Sequence, residues 1–151
     1  MTALATIGYQ AATVRSFLDA LREVGTELLV DIRAVASSRR PGFAKSKLAA
    51  NLAEAGIEYL HLRGLGTPAE GRAAARAGRF PELRRIYLEH LATPNAQAEL
   101  EALADLVRSG RRVCLLCFEH DPGHCHRSMV AAELSARLPV RVSHLAPSDD
   151  P

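Results

Sequence analysis

Val113-Cys114-Leu115-Leu116-Cys117 reads as a strand buried on both faces, because an unbroken apolar run offers no polar side to solvent. It runs straight into a loop crowded with reactive side chains, Phe118-Glu119-His120-Asp121-Pro122-Gly123-His124-Cys125-His126-Arg127. A helix follows, starting somewhere in 122–127 and reaching about Leu138. Upstream, Leu28-Leu29-Val30 within Glu27 to Arg33 has the same continuous apolar character. Ala5 to Tyr9, Ile57 to Leu62 and Val140 to Leu145 supply three further strand-like runs.

Helical periods lie between these runs. Val14, Phe17, Leu18 and Leu21 follow the helical spacing behind a Thr13 cap and ahead of Gly25. Ser46 to Ala55 forms the next helix, closed by Gly56. Pro81 opens a helix to about Leu91, and Pro94 opens another to about Arg108, ended by Gly110. Arg63 to Gly78, with its several glycines, reads as loop or broken helix. Strands separated by helices pair in parallel through right-handed crossovers. The sequence therefore predicts an α/β fold: a single three-layer domain over 1–146, with a mostly parallel sheet of about five strands flanked by helices. Residues 147–151 form a polar tail expected to fray. Strand order is not legible from this pattern.

Composition agrees with a globular chain. Apolar residues make up 48% and charged residues 24% of the 151 residues, ordinary values for a folded domain. No apolar run approaches the ~20 residues of a membrane span, and the N-terminus lacks a basic, cleavable leader. A cytoplasmic location with no membrane partner is the expectation. A net charge of +2 does not by itself demand a polyanion partner. Three cysteines, an odd number, argue against a disulfide framework and for free thiols, metal ligands or redox groups.

Ligands of open α/β sheets bind beyond the carboxyl ends of the strands. Here those ends are Gly8-Tyr9-Gln10, Asp31 to Arg40, His61 to Gly66 and Cys117 to Arg127. The last is the strongest signal. Cys125, His126 and Arg127 fall near a helix start, where backbone N–H groups and neighbouring cations stabilise a thiolate or an anion. Arg127 can grip a phosphate with paired hydrogen bonds, and Glu119 can move a proton. Cys114 and Cys117 resemble half of a zinc knuckle, but residues three apart in a strand face opposite ways. Cys114 is expected to pack in the core, leaving Cys117, Cys125 and a loop histidine such as His126 as the metal alternative, with zinc the metal it would take.

A second cluster starts with Asp31-Ile32-Arg33, whose charged residues share a strand face. From Ile32 to Ala53 there is no acidic residue, while Arg33, Arg39, Arg40, Lys45 and Lys47 are basic, a candidate anion surface. Asp31 would stay ionised there, orienting Arg33 or serving as a base. His61, Tyr9 and Gln10 are candidate substrate contacts at strand ends. Arg63, Arg72, Arg76, Arg79, Arg84 and Arg85 form a basic stretch that could touch a nucleic-acid backbone, with a solvated face the favoured reading. No Walker-type loop, GxGxxG or GxSxG motif occurs, which removes support for common nucleotide-binding and hydrolase classes.

Taken together, Thr6-Ile7-Gly8-Tyr9, Leu29-Val30-Asp31-Ile32-Arg33 with Ser38-Arg39-Arg40, Glu58-Tyr59-Leu60-His61-Leu62 with Leu65-Gly66-Thr67-Pro68, and Leu116-Cys117-Phe118-Glu119 with Cys125-His126-Arg127 resemble the domain-of-unknown-function 488 family over nearly the whole chain. The resemblance implies a compact α/β fold. It carries over Asp31, Arg33, Arg40, Cys117, Glu119, Cys125, His126 and Arg127 as the positions of interest. Tyr9-Gln10 departs from the His-Ser or His-Asn pair of many members.

Three functions compete. The first is a small enzyme acting on an anionic, phosphate-bearing substrate such as a nucleotide or nucleic-acid fragment. Arg33, Arg39, Arg40 and Arg127 would hold the anion, Cys125 or Cys117 would be nucleophile or redox thiol, and His126, Glu119 or Asp31 would move protons. The second is the metal site on Cys117, Cys125 and His126. The third is a non-catalytic nucleic-acid-binding module on the basic 32–53 segment.

Overall fold

The computed structural model describes residues 2–148. Five strands form one sheet, all of its pairings parallel, in the order β3-β2-β4-β1-β5. They are β1 (Thr2–Gly8), β2 (Leu28–Asp31), β3 (Glu58–His61), β4 (Val113–Cys117) and β5 (Val140–Leu145). Helices α1 (Val14–Glu23) and α2 (Lys45–Glu54) follow β1 and β2; α3 (Ala69–Arg76), α4 (Phe80–Leu91) and α5 (Pro94–Arg108) fill the β3-to-β4 connection; α6 (Arg127–Arg137) follows β4.

Sequence signals explain the boundaries. Thr13 and Ser16 form a reciprocal capping box at the start of α1, satisfying two backbone donors that a helix start leaves open. Gly25 ends that turn with a positive φ of 70°, a conformation in which a Cβ is strained. The Arg63–Gly78 segment departs from the expectation of a broken stretch. After a 3-10 turn at Arg63–Leu65 it forms the regular helix α3, because its alanines and arginines are strong helix formers and outweigh Gly71. Residues 146–148 carry no helix or strand, yet Pro147 is buried; 149–151 of the expected tail lie outside the described residues.

The sheet has two differently covered faces. Phe17, Leu21, Leu48 and Leu52 of α1 and α2 pack on Ile7, Leu29, Cys114 and Leu116. The helices after β3 and β4 pack on Leu4, Val30, Val113 and Leu115, with Tyr87, Leu100 and Val130 among the contacts. Three layers result. The chain moves toward β3 under one face and back toward β5 under the other, as right-handed crossovers require. β4 is thus the strand where direction reverses, and both its neighbours send their connections to the opposite face. In such sheets the crevice opens at that point. No helix of the described residues is long and apolar enough to cross a membrane.

Candidate functional site

Strand parity decides which side chains reach the crevice. Along β4, Val113 and Leu115 belong to the α3–α6 face, and Cys114 and Leu116 to the α1–α2 face. Cys117 therefore faces the start of α6, and Cys114 is sealed in the opposite core, where burial pushes its thiol well above the ordinary range. Before α6 the chain makes a 3-10 turn at Pro122–His124, capped by the Asp121 carboxylate accepting from the Gly123 N–H at 2.8 Å. An extended Cys125 then points back toward Cys117. The structure joins their sulfurs, on a backbone whose Cα atoms stand 7.2 Å apart.

His126 completes this cluster. Its Nε2–H donates to the Ile32 carbonyl at 2.7 Å, since a carbonyl only accepts. That leaves Nδ1 with a lone pair, 3.5 Å from Cys125 Sγ. The ring packs against Tyr87 at 5.1 Å between centroids, and Tyr87 is itself fixed by donating to the Leu65 carbonyl at 2.7 Å. Burial pushes the His126 imidazole down to about 4, so it is neutral at ordinary pH. One ligand atom from each of Cys117, Cys125 and His126 lies within 4.8 Å of the other two.

These three residues form part of the wall of a cavity of about 590 Å³ at the carboxyl ends of β1, β2 and β4. Tyr9, Gln10, Phe118 and Glu119 line it from one side, Arg33 and Arg39 from the loop after β2, and Arg72 and Arg76 from α3. Arg72 and Arg76 are four residues apart and so share a helix face. The four arginines stand against a single carboxylate, Glu119, among the described lining residues. Burial raises the Glu119 carboxyl, opposed by His124 and Arg127. Phe118 is 41% exposed, an apolar ring presented to whatever enters.

Of the residues singled out from sequence, Cys117, Glu119, Cys125, His126, Arg33, Arg39, Tyr9 and Gln10 meet at this cavity. Asp31, Arg40, His61 and Arg127 stand behind its wall, each for a definite reason. Asp31 lies on the α1–α2 face, pairing in register with Leu116. Its carboxylate accepts from Arg33 Nε (2.9 Å), Arg33 Nη2 (2.7 Å) and the Tyr59 hydroxyl (2.6 Å), so it positions Arg33 and has no open lone pair aimed at the cavity. Arg33 also donates to the Tyr9 hydroxyl and the Phe43 carbonyl. Arg40 spends its guanidinium on the Ala12 carbonyl, and the His61 ring donates to the Arg33 carbonyl at 2.7 Å.

Arg127 is the clearest departure from an anion-gripping role. It is fully buried. It donates to Thr6 Oγ1 at 3.0 Å, to Cys117 Sγ at 3.2 Å, to the Glu119 carbonyl and to the His120 carbonyl at 3.1 Å. It is the post around which the 117–120 loop is wrapped. Gly8 permits that wrap, because a Cβ there would sit 1.7 Å from the Glu119 carbonyl oxygen. Gly66 plays the same part where the loop after β3 crosses Ala34, with a Cβ 2.3 Å from that backbone.

Sequence reasoning missed Arg72 and Arg76, whose part depends on α3 being a helix, and Thr6 and Tyr87, which act through hydrogen bonds and packing. The basic 32–53 segment does not stay together as one surface. Arg33 and Arg39 turn to the cavity and Arg40 to Ala12, while Lys45 and Lys47 are exposed on α2.

A family model described as "Domain of unknown function DUF488" matches residues 13–134. Among curated proteins and among solved structures, nothing matches the chain.

Proposed function

This chain belongs to the DUF488 family, and from that premise, which brings no activity with it, we propose an enzyme acting on a phosphate-bearing substrate of about nucleotide size. The carrying observation is the cavity of about 590 Å³ in which four arginines and one glutamate surround a floor of two sulfurs and an imidazole. A cleft lined by one sign of charge raises the local concentration of oppositely charged ligands, and this volume is typical of small-molecule sites.

Arg39, Arg72 and Arg76 take the phosphate, the last two as a pair from one helix face. Arg33 is held rigid and neutralised by the buried Asp31 carboxylate, so it shapes the wall beside Tyr9 and leaves the anion to the other three. Phe118 offers a face on which a base can stack. Cys117, Cys125 and His126 form the reacting centre, and Glu119, whose carboxyl burial raises, is the proton carrier in the lining.

Equilibrium binding of pyrophosphate and of nucleoside mono- and diphosphates, followed by calorimetry at two salt concentrations, tests this reading. Saturable binding that weakens with salt is expected, with about a tenfold or greater loss in Arg76→Glu and Arg39→Glu, as reversal of a contacting charge costs more than ~1 kcal/mol. Arg141→Glu, on exposed β5, should leave it unchanged. If none of these ligands binds the unaltered protein, the reading fails.

A further inference from the structure

We propose that Cys117, Cys125 and His126 are the three protein ligands of a zinc ion whose fourth position opens onto the cavity. This rests on the reading of that cavity as the reaction site and gives its centre a chemical identity.

Four independent observations converge. The donors are two sulfurs and an imidazole nitrogen, the set zinc prefers, with their ligand atoms within 4.8 Å of one another. The free nitrogen is the correct one: His126 Nε2–H is committed to the Ile32 carbonyl at 2.7 Å, leaving Nδ1 as the donor. A ligating histidine almost always anchors its other ring N–H in this way.

The backbone spacing also suits an ion between the sulfurs. The Cα atoms of Cys117 and Cys125 are 7.2 Å apart, beyond the roughly 4.4–6.8 Å that a disulfide usually spans. Two sulfurs at ~2.3 Å from a tetrahedral zinc stand roughly 3.8 Å apart, which needs a wider backbone than a direct bond.

The fourth observation is Arg127. A fully buried guanidinium is costly unless a negative group lies against it. Among the described residues no carboxylate is ion-paired with it, Glu119 and Asp121 acting on it only through space, and the sulfur it donates to is Cys117 Sγ at 3.2 Å. A metal-bound thiolate supplies the missing charge. The two remaining ligands are fixed as well, since Ser128 Oγ donates to the Cys125 carbonyl at 3.1 Å and Tyr87 packs on the His126 ring.

Because all three ligands line the cavity, the remaining position is accessible to water or a phosphoryl oxygen. Three protein ligands and one open position is the arrangement of catalytic rather than structural zinc. The joined sulfurs of this structure first take up two electrons and two protons from an added thiol or phosphine reductant; binding to the reduced pair then displaces two thiol protons to solvent with no further change of oxidation state.

The test uses the untagged full chain, reduced and handled without oxygen, titrated with Co(II) as a spectroscopic stand-in and then with zinc. Expected are one equivalent bound, a near-ultraviolet sulfur-to-cobalt band, tetrahedral visible bands, and their loss on adding zinc. Cys117→Ser and Cys125→Ser should abolish the sulfur band, Cys114→Ala should keep it, and His126→Gln should weaken binding by at least ~100-fold, since losing a ligand costs no less than losing the outer-shell partner of one. Alkylation of the unaltered protein gives a readout that does not depend on variants folding: zinc should protect Cys117 and Cys125 together. Absence of the sulfur band, or alkylation of both thiols at the same rate with and without zinc, overturns the proposal. Phosphate ligands play no part in this titration. Failure here with intact pyrophosphate binding removes only the metal, and failure of pyrophosphate binding with the band present removes only the substrate class.

Discussion

Arg127 Nη1 donates to Cys117 Sγ across 3.2 Å, tying the first turn of α6 to the last residue of β4. Replacing Arg127 by methionine keeps the bulk and removes the donors to Thr6, Cys117, Glu119 and His120. Leaving buried acceptors unpaired is the costly way to lose a network, so a loss of about 3–5 kcal/mol is expected from urea unfolding. The same variant should raise the pH at which Cys117 becomes alkylated in reduced, metal-free protein, because its thiolate loses the neighbouring charge. An unchanged alkylation profile would show that the guanidinium does not act on the sulfur.

Gly8→Ala isolates the loop from the chemistry. The added Cβ would fall 1.7 Å from the Glu119 oxygen and 2.8 Å from Arg127 Nη1, and a backbone carbonyl cannot swing aside as a flexible side-chain end can. Overpacking of this kind costs about 1–3 kcal/mol. Amide exchange should speed up first at Gln10, whose N–H donates to the Phe118 carbonyl at 2.9 Å, and at His120, whose N–H donates to the Gln10 side chain at 3.0 Å. Faster exchange confined to β5, with these amides unmoved, would argue against the loop being the part displaced.

The alternation of apolar strands and helices was readable because burial on both faces leaves an unmistakable run, as at Val113–Cys117 and Leu28–Val30. Parity within those strands was readable too, and it separated Cys114 from Cys117 correctly. Within β2 the same parity sets Asp31 on the face of Leu29; that this face lies beside Leu116 and opposite Cys117 needed the strand register. What the sequence hid was strand order, which sets β4 between β1 and β2, and the helicity of α3, which turns Arg72 and Arg76 from surface charges into cavity walls. Arg127 was misjudged for a physical reason. Arginine beside a helix start suits an anion equally well whether it faces solvent or a buried sulfur, and only the long-range contact with Thr6 distinguishes the two.

Asp31→Asn should damage stability more than it damages any reaction step. The carboxylate is fully buried and ion-paired to Arg33 at 2.7 Å, and removing one partner of a buried pair typically costs about 3–5 kcal/mol. Tyr59→Phe removes one hydrogen bond to the same carboxylate and should cost about 1 kcal/mol. Urea midpoints order the two variants. Pyrophosphate affinity in folded Tyr59→Phe should stay within about threefold of the parent, a difference under ~1 kcal/mol; a loss as large as that of Arg76→Glu would mean that the buried triad contacts ligand.

Acid should destabilise the metal-free, reduced protein through His126. Its imidazole is pushed down to about 4 by burial, against an ordinary value of 6.5. Between those two values the unfolded chain holds a proton at this position and the folded chain does not. The unfolded state therefore binds more protons, and stability rises with pH across this window. The contribution is fully present above the unfolded value and is lost as pH falls toward the folded one, at up to ~1.4 kcal/mol per pH unit for a single proton. Urea unfolding at pH 7, 6 and 5 in chelator measures it directly. His126→Asn should be less stable at pH 7 but show a flatter dependence over the same interval. A slope identical in parent and variant would place the proton uptake on another residue, and the neutral imidazole proposed to face the Cys125 sulfur would lose its support.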